Sequence, residues 1–502
     1  MLQSAGPDRP RPQRHAPTAQ LASFAPGACT CCSPEVAALT RRLAAEDPGH
    51  SFAGPPAAAP TVHGTSGEDH PSGLDGNVRA VLFRNARVFD GERLNVCPGQ
   101  SVLVQGQKIT AVADGVLDPP DGARVIDCGG RTLMPGLIDA HWHTMFAGIS
   151  RTALQVAEIG DILFGAARQA ERTLMRGFTT VRDMGGPSFS LKRAIDSGIV
   201  AGPRVFPSGA MISQTGGHAD FRFPWELTAG TGHRNRGDLM GATAVVDGRD
   251  SVLRATREQL MLGASQIKIM AGGGVASDYD PIDSTQLLPE EIAAAVQAAS
   301  DWGTYVAAHA YTSAAVKRCL KAGVRSIEHG QMIDAETAAM ISDHGAVWSL
   351  QPFLPEFASH GGANVPPDSK MRQVWDLTDR AYQLATTTDV RTGWGTDILF
   401  QPKLAEAQGA HLAGLRRWYT PAKVLCQATS RNAAILELSG PRAAYAGALG
   451  VIRAGAFADL LLVDGDPTED ISLVANPDRY FLVIMKDGKL AKDLMTGLAP
   501  TA

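Results

Sequence analysis

The middle of the chain, about residues 134–438, alternates short apolar runs with amphipathic stretches. Segments such as PEEIAAAVQAASDWG carry apolar residues at helical spacing and end in glycine. Eight repeats of strand and helix predict an α/β fold, a (β/α)8 TIM barrel, with a doubly wound parallel sheet as the alternative. The predicted strands are LIDAHWH, TTVRDMG, RVFPSGA, SQIKIMAGG, TYVAAHAY, RSIEHGQ, AVWSLQP and RTGWGTD.

A different pattern flanks this region on both sides. AVLFRNARVFDG and QSVLVQGQKITAVAD precede it, and LLLVDGD and YFLVIMKDGKLAKDL follow it. Short β-branched runs that alternate with polar and turn residues are typical of antiparallel strands. We therefore predict a small β-sandwich built from both chain ends, with residues 78–133 as its first part, residues 439–497 as its second, and the barrel at residues 134–438 between them.

The first 77 residues have a different composition. They contain 11 of the 31 prolines, mixed with glycine, alanine and serine. Such a segment buries too little apolar surface to offset its ordering entropy, so we predict that it is largely disordered apart from a short amphipathic helix at residues 33–46. Cys29, Cys31 and Cys32 lack the paired spacing of a structural zinc site, and we assign them no role.

Composition narrows the classes of partner. The 502 residues are 44% hydrophobic and 19% charged, with 46 basic and 51 acidic side chains giving a net charge of −5. This balance provides no basic field for nucleic acid. No apolar run has the roughly 18 residues of a membrane span, and the N-terminus lacks the apolar core of a signal peptide. The sequence favours a cytoplasmic protein that acts on small molecules.

Polar side chains stand at five of the eight predicted strand ends. His141 and His143, two apart on one strand, point to the same face and can share one ion, although such a pair also arises by chance. Lys268 faces opposite to its isoleucine neighbours, into the barrel. Burial lowers a lysine pKa, and a neutral amine can add CO2 to become a bridging carbamate, whereas the alternative is a lysine salt-bridged at the barrel mouth.

Taken singly, the other strand-end residues have ordinary explanations: hydrogen-bonded core histidines for His309 and His329, and a helix N-cap for Asp397. Together the set favours a binuclear metal site. Its predicted ligands are His141, His143, Lys268, His309, His329 and Asp397.

The motifs LMPGLIDAHWH, IKIMAGGG, IEHG and GTD, in this order, together with RAGAFADLLLVDGDP near the end, resemble the amidohydrolase superfamily, in its branch with a carboxylated lysine. PSGAMISQTGGHAD and IKIMAGGGVAS are similar to ochratoxinase and to Xaa-Pro dipeptidase-like amidases. The resemblance covers about residues 79–493. It implies a metal-dependent hydrolase of carbon–nitrogen bonds, active on an amide of peptide-like, N-acyl amino acid or ochratoxin-like kind, and a homo-oligomer.

The resemblance also implies roles for individual residues. His141, His143 and Asp397 would hold one divalent ion, and His309 and His329 the other. Zinc suits these ligands, which also admit manganese, cobalt or iron, and a carbamate on Lys268 would bridge the pair. A hydroxide between the ions would be the nucleophile and Asp397 its proton acceptor. His218 would stabilise the carbonyl oxygen. The predicted substrate contacts are His218, Asp278, Tyr279 and Tyr311, with Arg182 as a further candidate for a substrate carboxylate, and His411 receives no role.

Two other functions remain open from the sequence. The same site could cleave an ester, a lactone or a cyclic amide, because specificity lies in the loops. An inactive barrel retained as a scaffold is the non-enzymatic alternative, which the complete ligand set disfavours. Deaminases of the superfamily usually use one metal without a bridging lysine, so Lys268 argues against them.

Overall fold

The computed structural model describes residues 80–229, 235–357, 365–366 and 368–495. The predictions for the N-terminal 77 residues, including the helix at 33–46 and the three clustered cysteines, lie outside the described residues. The domain boundaries proposed from the sequence stay predictions.

The described chain begins with five strands of a mixed sheet. β1 pairs with β2 antiparallel and with both β4 and β5 parallel, so the sheet is not purely antiparallel as predicted. The strands are β1 (Ala80–Val88), β2 (Cys97–Gln105), β3 (Lys108–Asp114), β4 (Arg124–Asp127) and β5 (Thr132–Pro135).

Parallel strands follow, and with the helices between them they confirm the predicted α/β class. They are β6 (Leu137–Trp142), β7 (Phe178–Asp183), β8 (Arg204–Phe206), β9 (Met211–Ser213), β10 (Thr243–Val245), β11 (Ile267–Met270), β12 (Val306–Thr312), β13 (Ser326–Met332), β14 (Val347–Leu350) and β15 (Thr392–Trp394). Hydrogen bonds join them in two sheets, with orders β6-β7-β8 and β10-β9-β11-β12-β13-β14-β15.

Each of the eight predicted strands is present, and β9 and β10 are additional. The third predicted strand ends early, at Phe206, and the chain resumes as β9 after a break that contains Gly209, whose φ of +74° is open to glycine but disfavours other residues. Hydrogen bonds join the two sheets at two places. Asp397 N donates to His141 O at 2.7 Å, and the Gln266 amide donates to Asp183 O and Phe206 O at 3.0 and 2.8 Å.

Helices occupy most connections between the parallel strands. In the helix Ser313–Ala322, the Thr312 side chain caps the first turn and Gly323 ends the helix in the left-handed conformation, as the terminal glycines predict. No helix in the described ranges is long and apolar enough to cross a bilayer. The α-helices are α1 (Arg151–Val156), α2 (Ile159–Met175), α3 (Phe189–Asp196), α4 (Arg236–Leu239), α5 (Arg249–Leu262), α6 (Pro289–Asp301), α7 (Ser313–Ala322), α8 (Ala335–Asp343), α9 (Lys370–Thr387), α10 (Pro402–Glu406), α11 (Gln408–Gly414), α12 (Pro421–Cys426), α13 (Asn432–Leu436) and α14 (Pro477–Tyr480).

The last three strands return to the first sheet. β16 (Leu460–Val463), β17 (Phe481–Lys486) and β18 (Lys489–Asp493) extend it in the order β18-β17-β16-β5-β1-β2-β3. Both chain ends therefore build one eight-stranded sheet, while a two-layered sandwich stays a prediction. Along β16, Leu460 and Leu462 enter the core of this sheet, whereas Leu461 and Val463 enter the core of the parallel strands. Burial on both faces explains why this run is apolar throughout.

Candidate active site

The six predicted metal-competent residues lie together at the carboxyl ends of the parallel strands. They all line one cavity of about 440 Å³. β6 carries His141, β11 carries Lys268, β12 carries His309, β13 carries His329, and His143 and Asp397 follow β6 and β15.

Two of these residues have an unusual backbone. His329 has φ of +76° and Asp397 has φ of +56°, in the left-handed region that few non-glycine residues occupy. Neighbouring groups hold both positions: the Trp348 indole donates to His329 O, and Asp397 N donates to His141 O, each at 2.7 Å. Such conformations persist where the surroundings fix them, and they cluster at functional sites.

His141, His143 and Asp397 form the tightest group. The Nε2 atoms of both histidines lie 3.2 Å from Asp397 Oδ1. His143 Nδ1 donates to Gly185 O at 3.2 Å, and burial lowers the pKa of His143, so the ring is neutral with its lone pair at Nε2. That lone pair faces a carboxylate oxygen. A cation between the two atoms would satisfy both, and the ligand atoms of all three residues lie within 4.8 Å of one another.

A buried ion pair orients His141. Its Nδ1 donates to Glu328 Oε2 at 2.8 Å, and the Arg182 guanidinium lies 2.8 Å from both Glu328 oxygens. Burial alone would raise the pKa of Glu328, but the charge of Arg182 holds it well below its ordinary value. The sequence analysis did not single out Glu328, although a glutamate beside the histidine in IEHG was its visible signal.

Arg182 is therefore not a contact for a substrate carboxylate. Its side chain is fully buried, and besides Glu328 it binds Tyr305 Oη at 3.1 Å and Ser326 Oγ at 3.2 Å. Because these groups occupy its donors, Arg182 holds Glu328 in position and does not face a substrate.

Lys268 is almost fully buried, and its Nζ lies 3.5 Å from His141 Nε2. In the described parts of the chain no carboxylate lies within ion-pair distance of this amine, which argues against the predicted alternative of a salt-bridged lysine. Burial lowers the pKa of Lys268 to about 8. A substantial neutral fraction near neutral pH is what reaction with CO2 needs.

His309 and His329 lie side by side, with ring centroids 4.5 Å apart. His309 Nε2 donates to Gly273 O at 3.0 Å, which leaves its Nδ1 as an acceptor. His329 Nδ1 is buried, lies 3.9 Å from Asp397 Oδ2 and has no hydrogen-bond partner among the described residues. Burial lowers the pKa of both histidines well below the ordinary value, and neutral imidazole is the form that binds metal.

His218 reaches the same site from the loop after β9. Its ring stacks on that of His309 with centroids 4.2 Å apart, and its Nδ1 donates to Asp280 Oδ2 at 3.0 Å and lies 2.7 Å from Ser277 Oγ. Lys370 Nζ lies 3.1 Å from the other Asp280 oxygen. Burial would raise the pKa of Asp280, but hydrogen bonds and the charge of His218 lower it. Asp280 and Lys370 were not predicted.

The three other predicted substrate contacts differ in position. Tyr311 is buried, lines the cavity, and its ring centroid lies 5.1 Å from that of His329. Tyr279 is 58% exposed and does not line the cavity. Asp278 lies outside the cavity lining too, where Arg151 binds it through two contacts of 2.9 and 2.6 Å. Arg151, which the sequence analysis did not consider, does line the cavity.

The cavity wall away from the polar cluster is apolar and rich in aromatic rings. His411 also lines it, stacked on Phe357 with centroids 4.1 Å apart, and burial lowers the pKa of His411 to about 3. A concave apolar pocket with convergent polar groups at one end is typical of a small-molecule site. Prominent wall residues are Phe221, Phe353, Leu354, Phe357, Val374 and Trp375.

A comparison with known protein families agrees with this fold and site. The sequence model of the amidohydrolase family matches residues 132–491, which include all six clustered residues. The chain belongs to the amidohydrolase family. The predicted membership is confirmed, and with it the prediction of a hydrolase acting on carbon–nitrogen bonds.

This amidohydrolase is similar to one curated protein and two solved structures of related activity. Ochratoxinase of Aspergillus niger is 33% identical over 422 residues, which cover 80% of this chain and 84% of that protein. A prolidase crystallised with N-methylphosphonate-L-proline is 35% identical, with a TM-score of 0.75 over 82% of this chain and 100% of the other. A Xaa-Pro dipeptidase crystallised with methionine in its active site is 30% identical, with a TM-score of 0.70 over 82% and 99%. The amidohydrolase is thus similar to the two groups that its motifs resemble.

Proposed function

We propose that this amidohydrolase is a metal-dependent amidase for a peptide-like bond, in a substrate such as an N-acyl amino acid, a dipeptide or an ochratoxin-like conjugate. The observation that carries the proposal is the position of six metal-competent residues at one end of an apolar cavity of about 440 Å³. The aromatic wall suits a bulky apolar acyl group or side chain. The names of the similar ochratoxinase, prolidase and dipeptidase support an amide with an amino-acid leaving group.

The donor set fits two divalent ions, for which we propose zinc. His141, His143 and Asp397 would hold one, His309 and His329 the other, and a carbamate on Lys268 would bridge them. Three features support this assignment: the His143 lone pair that faces Asp397, the unpartnered Nδ1 of His329, and the buried amine of Lys268.

Divalent ions, when bound, lower the pKa of water from 15.7 towards about 7 and polarise a carbonyl group. Asp397 would accept a proton from the attacking water and return it to the leaving nitrogen. The water oxygen forms the new bond to the carbonyl carbon, the carbon–nitrogen bond breaks, and the products are a carboxylate and an amine. Glu328 holds His141 in the tautomer that presents Nε2 to the site.

His218 and Tyr311 flank the place where the carbonyl oxygen would lie, and both stack against the paired histidines His309 and His329. His218 donates its Nδ1 proton to Asp280, so it can donate from Nε2 only when both ring nitrogens carry protons. The carboxylate of Asp280 accepts the Nδ1 proton and so fixes the orientation of the ring. We therefore propose that His218, oriented by Asp280, stabilises the oxygen of the tetrahedral intermediate.

Asp280→Asn tests this role. We expect kcat to fall about 100-fold, because an uncharged amide forms a weaker hydrogen bond to Nδ1 and holds the ring less firmly, while KM and metal content change little. The measurement is the pH dependence of kcat together with elemental analysis. Asp376→Asn is the matched control, since Asp376 is exposed and pairs with Arg372 on the solvent side of α9. An unaltered kcat and pH profile in Asp280→Asn would show that Asp280 only supports the loop.

Removal of the metal tests the proposed function itself. We expect about two divalent ions per chain by elemental analysis, loss of amidase activity after chelation, and recovery with zinc, manganese or cobalt. Active protein with one ion or none would reject the binuclear site.

A substrate panel tests which bond is cleaved. The panel compares N-acyl amino acids and dipeptides with lactones and aryl esters of similar size. If kcat/KM for the esters or lactones is larger by about tenfold, or about 1.4 kcal/mol, the amidase assignment is wrong.

We further propose that the parallel strands close into a (β/α)8 barrel. The two contacts that join the sheets support closure, one between β6 and the segment after β15, the other between Gln266, which precedes β11, and the ends of β7 and β8. The homo-oligomer and the cytoplasmic location stay predictions.

A further inference from the structure

The lining of the cavity carries one arginine, which is partly exposed to solvent. Among the described residues that line it, Arg151 is the only arginine or lysine apart from Lys268. Arg151 begins α1, its side chain is 34% exposed, and its guanidinium carbon lies 5.6 Å from the ring centroid of Phe221 in the cavity wall. The cavity lining thus has a guanidinium in addition to the polar cluster.

The present partner of Arg151 lies outside the cavity lining. Asp278, on the loop after β11, is bound by both terminal guanidinium nitrogens, at 2.9 and 2.6 Å, and the hydrogen bonds from Arg151 lower the pKa of Asp278. The two side chains are 34% and 58% exposed. Partly exposed ion pairs of this kind contribute little to stability, because solvent screens them. Exchange of Asp278 for another carboxylate therefore costs little.

We propose that Arg151 is the anchor for the carboxylate of the substrate's amino-acid part, and that this carboxylate replaces Asp278 on the guanidinium. The inference rests on the proposed amidase function and specifies its substrate class. A planar guanidinium binds a carboxylate through two parallel hydrogen bonds, so it fixes the direction of the bound molecule as well as its charge. With the carboxylate at Arg151, the scissile amide extends towards Asp397 and the apolar group contacts the aromatic wall.

Asp278 would act as a competitor in this arrangement. It occupies the guanidinium when no substrate is present, and it disfavours neutral molecules, since these cannot replace it. The pair would thereby select acids over the corresponding amides and esters at the leaving-group end.

The test is a matched pair of substrates, an N-acyl-L-phenylalanine and its carboxamide, assayed with the metal-loaded enzyme. Arg151→Met should raise KM for the acid about 10- to 100-fold and change KM for the carboxamide by less than about threefold. Asp278→Asn should lower KM for the acid, because it frees Arg151. Arg172→Met is the control, since Arg172 pairs with Glu406 at 3.4 Å away from the cavity lining.

The outcomes separate the anchor from the function. If Arg151→Met changes KM equally for both substrates, or changes neither KM, Arg151 does not bind the substrate carboxylate. Hydrolysis of these substrates by the unmodified enzyme would still support the amidase function. If the unmodified enzyme hydrolyses neither amide, calorimetric titration with the N-acyl-L-phenylalanine decides the question. If the unmodified enzyme binds the acid and Arg151→Met weakens this binding, the role of Arg151 is upheld and the amidase function is rejected. If the substitution leaves binding unchanged, both proposals are rejected.

Discussion

Asp397→Asn should retain most of the bound metal and lose about 10²- to 10⁴-fold in kcat. The asparagine oxygen can still face His141 and His143, whose Nε2 atoms lie 3.2 Å from Asp397 Oδ1, but an amide does not accept a proton from water at neutral pH. The measurement is kcat at saturating N-acyl amino acid, with metal content determined on the same preparation.

Asp379→Asn provides the control for this substitution, because Asp379 is exposed and pairs with Arg417. Its kcat and metal content should equal those of the unmodified enzyme. Unchanged turnover in Asp397→Asn would remove Asp397 from the role of proton acceptor. Loss of metal together with activity would assign it to metal binding alone.

Lys268→Ala should lose detectable amidase activity and most of the bound metal while the chain stays folded. The substitution removes the amine that would carry the bridging carbamate, and Lys268 makes no ion pair with a described carboxylate that the fold would miss. The measurement is activity with and without a short-chain carboxylic acid such as propionate. Partial recovery is expected, because the added carboxylate can occupy the space of the carbamate and supply its oxygens.

Lys268→Met separates chemistry from packing. Methionine fills most of the buried volume but supplies no oxygen ligand and leaves no space for propionate, so we expect inactivity without recovery. Lys317→Met, at an exposed pair with Glu336, should leave activity unchanged. Full activity in either Lys268 variant would make this lysine structural.

The six predicted residues lie together in the structure because each lies on or just after a parallel strand, where local pattern decides its position. Period-2 alternation places Lys268 opposite Ile267 and Ile269, and the carboxyl ends of parallel strands meet at one edge. No long-range information was needed beyond the order of the strands.

The roles of the residues that contact and orient this cluster were harder to predict from the sequence, because they depend on partners far along the chain. Arg182 also ends a strand, yet whether it meets a substrate or a buried acid depends on Glu328, 146 residues later. Asp280 gains its role from His218 and Lys370, 62 residues before it and 90 after it. Tyr279 and Asp278 follow a glycine-rich stretch in a loop without periodicity, so the direction of their side chains had no sequence signal.

The left-handed backbone of His329 and Asp397 has a consequence for protein engineering. In this conformation a glycine is favoured over other residues by roughly 1–2 kcal/mol, so both positions carry a cost that a glycine would relieve. A selection for thermal stability alone would then favour variants that lose His329 or Asp397, and under the proposed function such variants would be folded but inactive. Stabilised forms of this enzyme should be sought with both positions fixed, using substitutions in the sheet of the chain ends.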